Sequence, residues 1–158
     1  MKTSIEGINL IKHFEGLHDG NLRKIGLQPK KCPAGIWTEG YGHAMRDSKG
    51  KFLKGANIPI GTVKNESEAV KLLMNDLITF ENIVKRNVKV GMTQSQFDAV
   101  TSHAFNTGGS ETMFRLINEK APRQVLENWF TQRYISADGV ILNGLIKRRK
   151  AEANLYFK

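Results

Sequence analysis

The chain has a single cysteine, Cys32, so it cannot form an internal disulfide bond. It also has no long run of apolar residues, and residues 1–7 contain none either. We therefore predict neither a signal peptide nor a transmembrane helix. The lack of an internal disulfide bond favours synthesis in a reducing compartment. Because no signal peptide is predicted, a substrate outside that compartment would require a separate release factor.

Acidic residues are scarce relative to basic ones, with 15 against 24, and the formal net charge is +9. Such a balance favours a polyanionic partner: nucleic acid, anionic lipid or an acidic cell-wall polymer. No known nucleic-acid motif accompanies the charge, so we expect no nucleic-acid partner. A nucleic-acid-binding module, suggested by the basic cluster Lys147–Lys150, is kept as the alternative that a gel-shift assay would test.

Metal and phosphate motifs are missing as well. The four histidines, His13, His18, His43 and His103, have no metal-type spacing with one another or with the cysteine. The glycines of segment 40–43 lack the rest of any phosphate-binding loop. We therefore expect neither a metal nor a cofactor.

The sequence does contain enough apolar residues for a core, at 40% hydrophobic in 158 residues, which predicts one globular domain. Apolar residues at helical spacing predict several helices. Asn65 and Thr93 are each followed three residues later by Glu or Gln, which predicts capping boxes. The predicted helices cover residues 3–14, 65–85, 93–105, 110–118, 122–130 and 144–157.

The β content is predicted only near the N-terminus. Residues 17–31, with several glycines and cations, suggest a basic loop or an irregular hairpin arm. Residues 36–43 combine β-branched and aromatic residues with glycines, which predicts one short twisted strand. Residues 47–61 predict a turn and a short edge strand. The predicted fold class is α+β, mostly helical, with strands confined to this region.

Glu15 stands out among the acids because it lies at the end of the first predicted helix, which Gly16 should terminate. The negative end of the helix dipole is a poor place for a structural carboxylate. A surface acid paired with a cation remains the alternative, since isolated acids are seldom catalytic. Other acids, among them Glu66, Glu68 and Glu152, are predicted on helix surfaces.

Cys32 has two interpretations from its position alone. A lone cysteine is commonly a small buried hydrophobe. A nucleophilic cysteine would need a histidine to activate it, and His43 is the nearest downstream. No protease signature surrounds Cys32, so a cysteine protease is disfavoured.

Several short motifs in one order resemble the phage-type lysozymes, or endolysins, of glycoside hydrolase family 24. They cover almost the whole chain. The matching segments are Phe14-Glu15-Gly16, Cys32-Pro33-Ala34-Gly35, Trp37 to His43, Gln96 to Ala99, Phe105 to Gly108 and Gly144 to Glu152.

The resemblance implies a role for each matching residue. Glu15 would be the proton donor, Cys32 would occupy the position of an assisting Asp or Cys, and Thr38 would position the attacking water. His43 and Asp76 would form a structural ion pair. Asn106 would bind substrate.

The resemblance also implies a lysozyme-like catalytic domain over residues 1–158. It would have a β-containing lobe at 17–61, an inter-lobe helix at 65–85, a helical lobe at 86–158 plus helix 3–15, and a cleft between the lobes. The implied activity is hydrolysis of the β-1,4 bond between N-acetylmuramic acid and N-acetylglucosamine of peptidoglycan, which lyses the bacterial host.

The implied context is that of a monomer in the host cytoplasm, released to the cell wall through a separate pore-forming protein. The basic C-terminal helix could also contact anionic envelope lipid. Hydrolysis and transglycosylation stay open, because both use one Glu.

Two departures from the family pattern concern the candidate site. Residues 16–31 make the interval between Glu15 and Cys32 longer than is usual, which extends the arm. Glu39 follows Thr38 where the family usually has an apolar residue. Strand alternation should point Glu39 away from Thr38, so we expect it to be structural or solvent-facing. Glu39 and then Asp19 are the backup carboxylates.

Overall fold

The computed structural model describes residues 1–20 and 26–158, and the chain divides into two compact units. The helical unit comprises Met1–Phe14 and Leu77–Lys158, and the β-containing unit comprises Glu15–Asp76. The described residues are mostly helical with small antiparallel sheets, so the predicted fold class is confirmed. None of the helices in these ranges is long and apolar enough to cross a bilayer.

Each predicted helix is present, with ends within two residues of those expected. Asn65 begins the second helix by accepting a hydrogen bond from the Glu68 N–H at 2.9 Å. Thr93 and Gln96 form the predicted capping box. Pro122 lies at the N-cap position and not inside the first turn. The helices are α1 Ile5–Glu15, α2 Glu66–Asn87, α3 Gln94–Thr107, α4 Glu111–Asn118, α5 Arg123–Gln132 and α6 Asn143–Tyr156.

The core of the helical unit is built from the apolar faces of α3 to α6. Phe97 of α3, Met113 of α4 and Phe130 of α5 are each at most 2% exposed. Burying one such side chain contributes roughly 1.5–3 kcal/mol relative to leaving it in water. The prediction that Glu152 lies on a helix surface is wrong, because its side chain is fully buried within this unit.

The β-containing unit holds a three-stranded antiparallel sheet of order β1-β2-β3. The strands are β1 Lys30–Lys31, β2 Trp37–Glu39 and β3 His43–Ala44. The prediction of one strand over residues 36–43 is therefore wrong. Gly40 and Gly42 adopt left-handed φ values of 58° and 84°, which reverse the chain between β2 and β3.

Two other predictions for this unit come out differently. The turn after Asp47 is present, closed by a 2.9 Å hydrogen bond from the Gly50 N–H to the Asp47 carbonyl. The edge strand predicted near residues 58–61 is absent from this described segment. In the predicted arm, the Gly20 N–H donates to the Gln28 carbonyl at 2.9 Å. The arm's cations at positions 23 and 24 lie outside the described residues.

Strands are not confined to the N-terminal region, which corrects the sequence-based prediction. The helical unit contains a two-stranded hairpin, β4 Ser136–Ala137 and β5 Val140–Ile141. Asp138 and Gly139 connect the strands with φ values of 50° and 77°, as in a type I′ turn. The Asp-Gly turn signal is visible in the sequence, but two-residue strands leave no alternation to detect.

Candidate active site

Glu15 is the last residue of α1, and Gly16 follows in the left-handed conformation with φ 70°. The carboxylate of Glu15 lies against the backbone of Gly42. A Cβ atom at position 42 would stand only 3.2 Å from Glu15 Oε2, and the φ of 84° would strain any other residue. Gly42 therefore preserves the space that this carboxylate occupies.

Thr38 lies in β2 with only 5% of its surface exposed. The strand register places it opposite Lys30 of β1. Its hydroxyl donates to the Lys30 carbonyl at 2.7 Å, and His18 Nδ1 lies 2.9 Å from the same oxygen. The hydroxyl predicted to hold water is therefore fixed by two neighbours.

His18 belongs to this cluster, although sequence reasoning considered it only as a metal ligand. Its backbone N–H donates to the Gly40 carbonyl at 2.7 Å. Burial lowers the pKa of His18, Glu15 opposes that shift and Lys30 adds to it. The ring is thus neutral at neutral pH. No local signal reveals this role, because the chain leaves the helix at Gly16 before it reaches His18.

Cys32 occupies the first position of the tight turn that joins β1 to β2. Its carbonyl accepts the Gly35 N–H at 2.9 Å, and its own N–H donates to the Ile36 carbonyl at 2.9 Å. The side chain is half-buried. Within residues 1–20 and 26–158 we find no hydrogen bond from its thiol, so no such bond links it to Glu15, His18 or Thr38.

The two backup carboxylates are engaged by the backbone. Glu39 is 4% exposed and accepts from the Thr62 N–H at 2.8 Å, the Thr62 hydroxyl at 2.5 Å and the Val63 N–H at 3.3 Å. The solvent-facing option for Glu39 is therefore wrong, and its contacts are structural. Asp19 Oδ1 accepts the Gln28 N–H at 2.9 Å, which closes the base of the arm.

His43 and Asp76 are in contact, with 2.8 Å between His43 Nδ1 and Asp76 Oδ2. The hydrogen bond to Asp76 raises the pKa of His43 more than partial burial lowers it. This contact joins β3 to α2 within the β-containing unit. Asn106 lies on α3 in the helical unit, where its carbonyl oxygen accepts a hydrogen bond from Arg149 of α6.

Three comparisons with known proteins bear on this site. Residues 12–152 match the family model described as phage lysozyme. The endolysin of Bacillus phage B103 is 34% identical over 164 residues, covering 99% of this chain but 54% of that protein. The endolysin of Acyrthosiphon pisum secondary endosymbiont phage 1 is 30% identical and is covered to 98%. The chain therefore spans about half of the first relative and nearly all of the second.

Among solved structures, the muramidase domain of SpmX from Asticaccaulis excentricus superposes with a TM-score of 0.75. It is 28% identical, and the alignment covers 99% of this chain and 98% of that domain. The family model and this structural match define the class, a glycoside hydrolase with a lysozyme-type fold. Within that class, the chain belongs to the phage lysozyme family, as the sequence motifs predict.

Proposed function

We propose that this chain is a peptidoglycan-degrading endolysin that hydrolyses the β-1,4 bond between N-acetylmuramic acid and N-acetylglucosamine. The observation that carries the proposal is the placement of Glu15, a carboxylate at a helix end with a side-chain-free residue, Gly42, against it. The neutral imidazole of His18 and the fixed hydroxyl of Thr38 lie in the same unit. The related endolysins and the muramidase domain support this assignment.

The roles follow from the chemistry of glycoside hydrolysis. Glu15 donates its proton to the leaving glycosidic oxygen as that bond breaks. Thr38 positions a water whose oxygen bonds to the anomeric carbon as the glycosidic bond breaks. The proton that this water loses passes to solvent, and Glu15 takes up a proton from solvent to complete the cycle. Cys32 assists and contributes less than Glu15, because its thiol makes no hydrogen bond within the described part of the chain.

We further propose that residues 1–158 act as one catalytic domain, as a monomer, on the bacterial cell wall. The net charge of +9 suits an anionic polymer. The lipid contact is less well supported, since Arg148 and Arg149 of the basic cluster are buried and leave Lys147 and Lys150 exposed. Release through a separate pore-forming protein stays a prediction.

Lysis of purified peptidoglycan tests the assignment of the acid. Glu15→Gln keeps the side-chain shape and removes the transferable proton, so activity should fall by about 10²–10⁴-fold. Cys32→Ser should lose less. Glu6→Gln is the matched control, since Glu6 lies at the other end of α1 and pairs with Lys158 on the surface. Retention of most activity by Glu15→Gln would sink the proposal.

Mass spectrometry of the released muropeptides tests the reaction type. Hydrolysis adds water across the bond and leaves reducing ends. Transglycosylation closes an anhydro ring at the muramic acid and adds no water. We expect reducing ends from the wild-type protein, and anhydro-sugar ends would replace hydrolysis with transglycosylation as the reaction.

A further inference from the structure

The protons around the Thr38 hydroxyl can be counted. A hydroxyl has one proton to donate and two lone pairs to accept with. The Lys30 carbonyl can only accept, so at 2.7 Å it takes the single proton of Thr38. His18 Nδ1, at 2.9 Å, must then carry a hydrogen and donate it to Thr38 Oγ1. The neutral ring of His18 is therefore protonated at Nδ1 and has its lone pair at Nε2.

This count determines what Thr38 can offer to a third partner. Its proton goes to Lys30 and one lone pair accepts from His18, which leaves one lone pair. A water bound there must donate a hydrogen to Thr38. Such a water keeps its own lone pairs free, which is the orientation that a nucleophile requires.

We propose that His18 is a positioning residue that makes the Thr38 hydroxyl an obligatory acceptor for the attacking water. This inference rests on the proposed glycoside hydrolysis and adds a residue to it. His18 touches Thr38 and is not proposed to touch the substrate. Without the imidazole N–H, the Lys30 carbonyl alone would hold the hydroxyl proton. The hydroxyl would then be able to rotate and donate to the water, which would turn a lone pair of the water away from its target.

The surroundings of His18 favour this role. The hydrogen bond from the His18 backbone N–H to the Gly40 carbonyl fixes the backbone from which the ring extends. Residues of three elements face the ring: Glu15 of α1, Lys30 of β1 and Thr38 of β2. Lowering of the His18 pKa by burial keeps the ring neutral beside Glu15. Protonation at Nε2 would leave the Nδ1–H in place. The bond to Thr38 therefore persists in both protonation states of His18.

The two backup carboxylates, Glu39 and Asp19, do not supply an alternative way to orient this water. Glu39 is buried and accepts hydrogen bonds from residues 62 and 63, and Asp19 holds the base of the arm. Cys32 stands where the family has an Asp or a Cys. The orientation of the water would thus depend on the hydroxyl and on the residue that fixes it.

The test compares two substitutions that differ in where they place an N–H group. The amide nitrogen of His18→Asn can replace Nδ1, whereas that of His18→Gln reaches the position of Nε2. On soluble peptidoglycan fragments, kcat should fall about tenfold in His18→Ala and in His18→Gln, with KM nearly unchanged. His18→Asn should restore most of kcat. His13→Asn is the matched control, because His13 is exposed on α1.

Several outcomes would overturn this inference. Full kcat in His18→Ala, equal losses in the Asn and Gln variants, or a change confined to KM would each exclude positioning through Nδ1. If His18→Asn removes the acidic limb of the kcat–pH profile, Nε2 acts as a base and the positioning role is wrong. Thermal unfolding of each variant corrects the rates for the folded fraction.

Glu15→Gln, measured in parallel, separates this inference from the function on which it rests. If Glu15→Gln stays active, the proposed function itself fails. If Glu15→Gln is inactive while His18→Ala keeps full kcat, only the role of His18 fails.

Discussion

Both units bury glutamate side chains, and the carboxylates of Glu152 and Glu39 are held by different kinds of partner. Glu152, in the helical unit, accepts from Arg148 Nε at 3.2 Å, Arg149 Nη1 at 2.7 Å and the Ser102 hydroxyl at 2.8 Å. Within residues 1–20 and 26–158, Glu39 of the β-containing unit accepts from the neutral N–H and hydroxyl groups of residues 62 and 63. The ion pairs of Glu152 thus lie within α6, and the Ser102 hydroxyl links this carboxylate to α3. The β-containing unit fixes the loop at residues 62 and 63 with neutral donors.

The largest expected effect compares the loss of the charged partners of Glu152 with the loss of the neutral partners of Glu39. Glu152→Gln removes a negative charge from between two buried guanidinium groups, so the free energy of unfolding should fall by about 3–5 kcal/mol. Glu39→Gln loses acceptors for neutral donors and should cost about 1–3 kcal/mol. Denaturant unfolding measures both values. Equal losses of unfolding free energy would mean that the ion pairs of Glu152 stabilise the helical unit no more than hydrogen bonds from neutral donors would.

His103 of the helical unit and His43 of the β-containing unit also differ, and this predicts opposite responses to pH. His103 is fully buried on α3 and its ring contacts those of Trp129, Phe130 and Tyr134. Burial, followed by the charges of Arg149 and Arg148, lowers its pKa to about 3. The folded protein therefore excludes a proton that the unfolded chain binds below pH 6.5, the ordinary value for histidine.

The second prediction concerns the effect on stability of the proton that folded His103 excludes. Because the unfolded chain binds more protons than the folded one, stability should be lost as pH falls from about 6.5 towards 3. From His103 alone, the slope of the free energy of unfolding against pH is at most about 1.4 kcal/mol per pH unit. His103→Phe should reduce the slope by that amount, as measured by denaturant unfolding across this range. An unchanged slope would show that His103 is protonated in the folded state.

Local sequence patterns were sufficient for the helices and for selecting one candidate residue of the site. The capping residues at Asn65 and Thr93 act on neighbours three positions away, so both are readable from the chain. Glu15 could be singled out because Gly16 marks a helix end. The short strands could not be predicted, since two or three residues carry no usable alternation.

The remaining features depend on tertiary contacts and could not be predicted from the sequence. His18 meets Thr38 only because the sheet brings residue 38 back to the end of α1, twenty positions along the chain. Glu152 follows Arg148 by four residues, which is typical of a surface ion pair as well as a buried one. The sequence gives the spacing of such a pair but not which face of the helix the core will cover.

The smallest expected effect comes from His43, whose pKa shifts in the opposite direction to that of His103. The hydrogen bond to Asp76 raises the pKa of His43, so its contribution is complete below the ordinary value of 6.5 and is lost as pH rises through the folded pKa. The side chains of His43 and Asp76 are 33% and 24% exposed, and water therefore screens the pair.

Asp76→Asn should cost up to about 1 kcal/mol near pH 6 and less near pH 8, measured by thermal unfolding at both values. The His103→Phe protein is the control, because it keeps the contact between His43 and Asp76 and should therefore keep the His43 contribution at both values. A larger loss at pH 8 than at pH 6 would mean that Asp76 stabilises a neutral His43, and the ion pair would then have no part in joining β3 to α2.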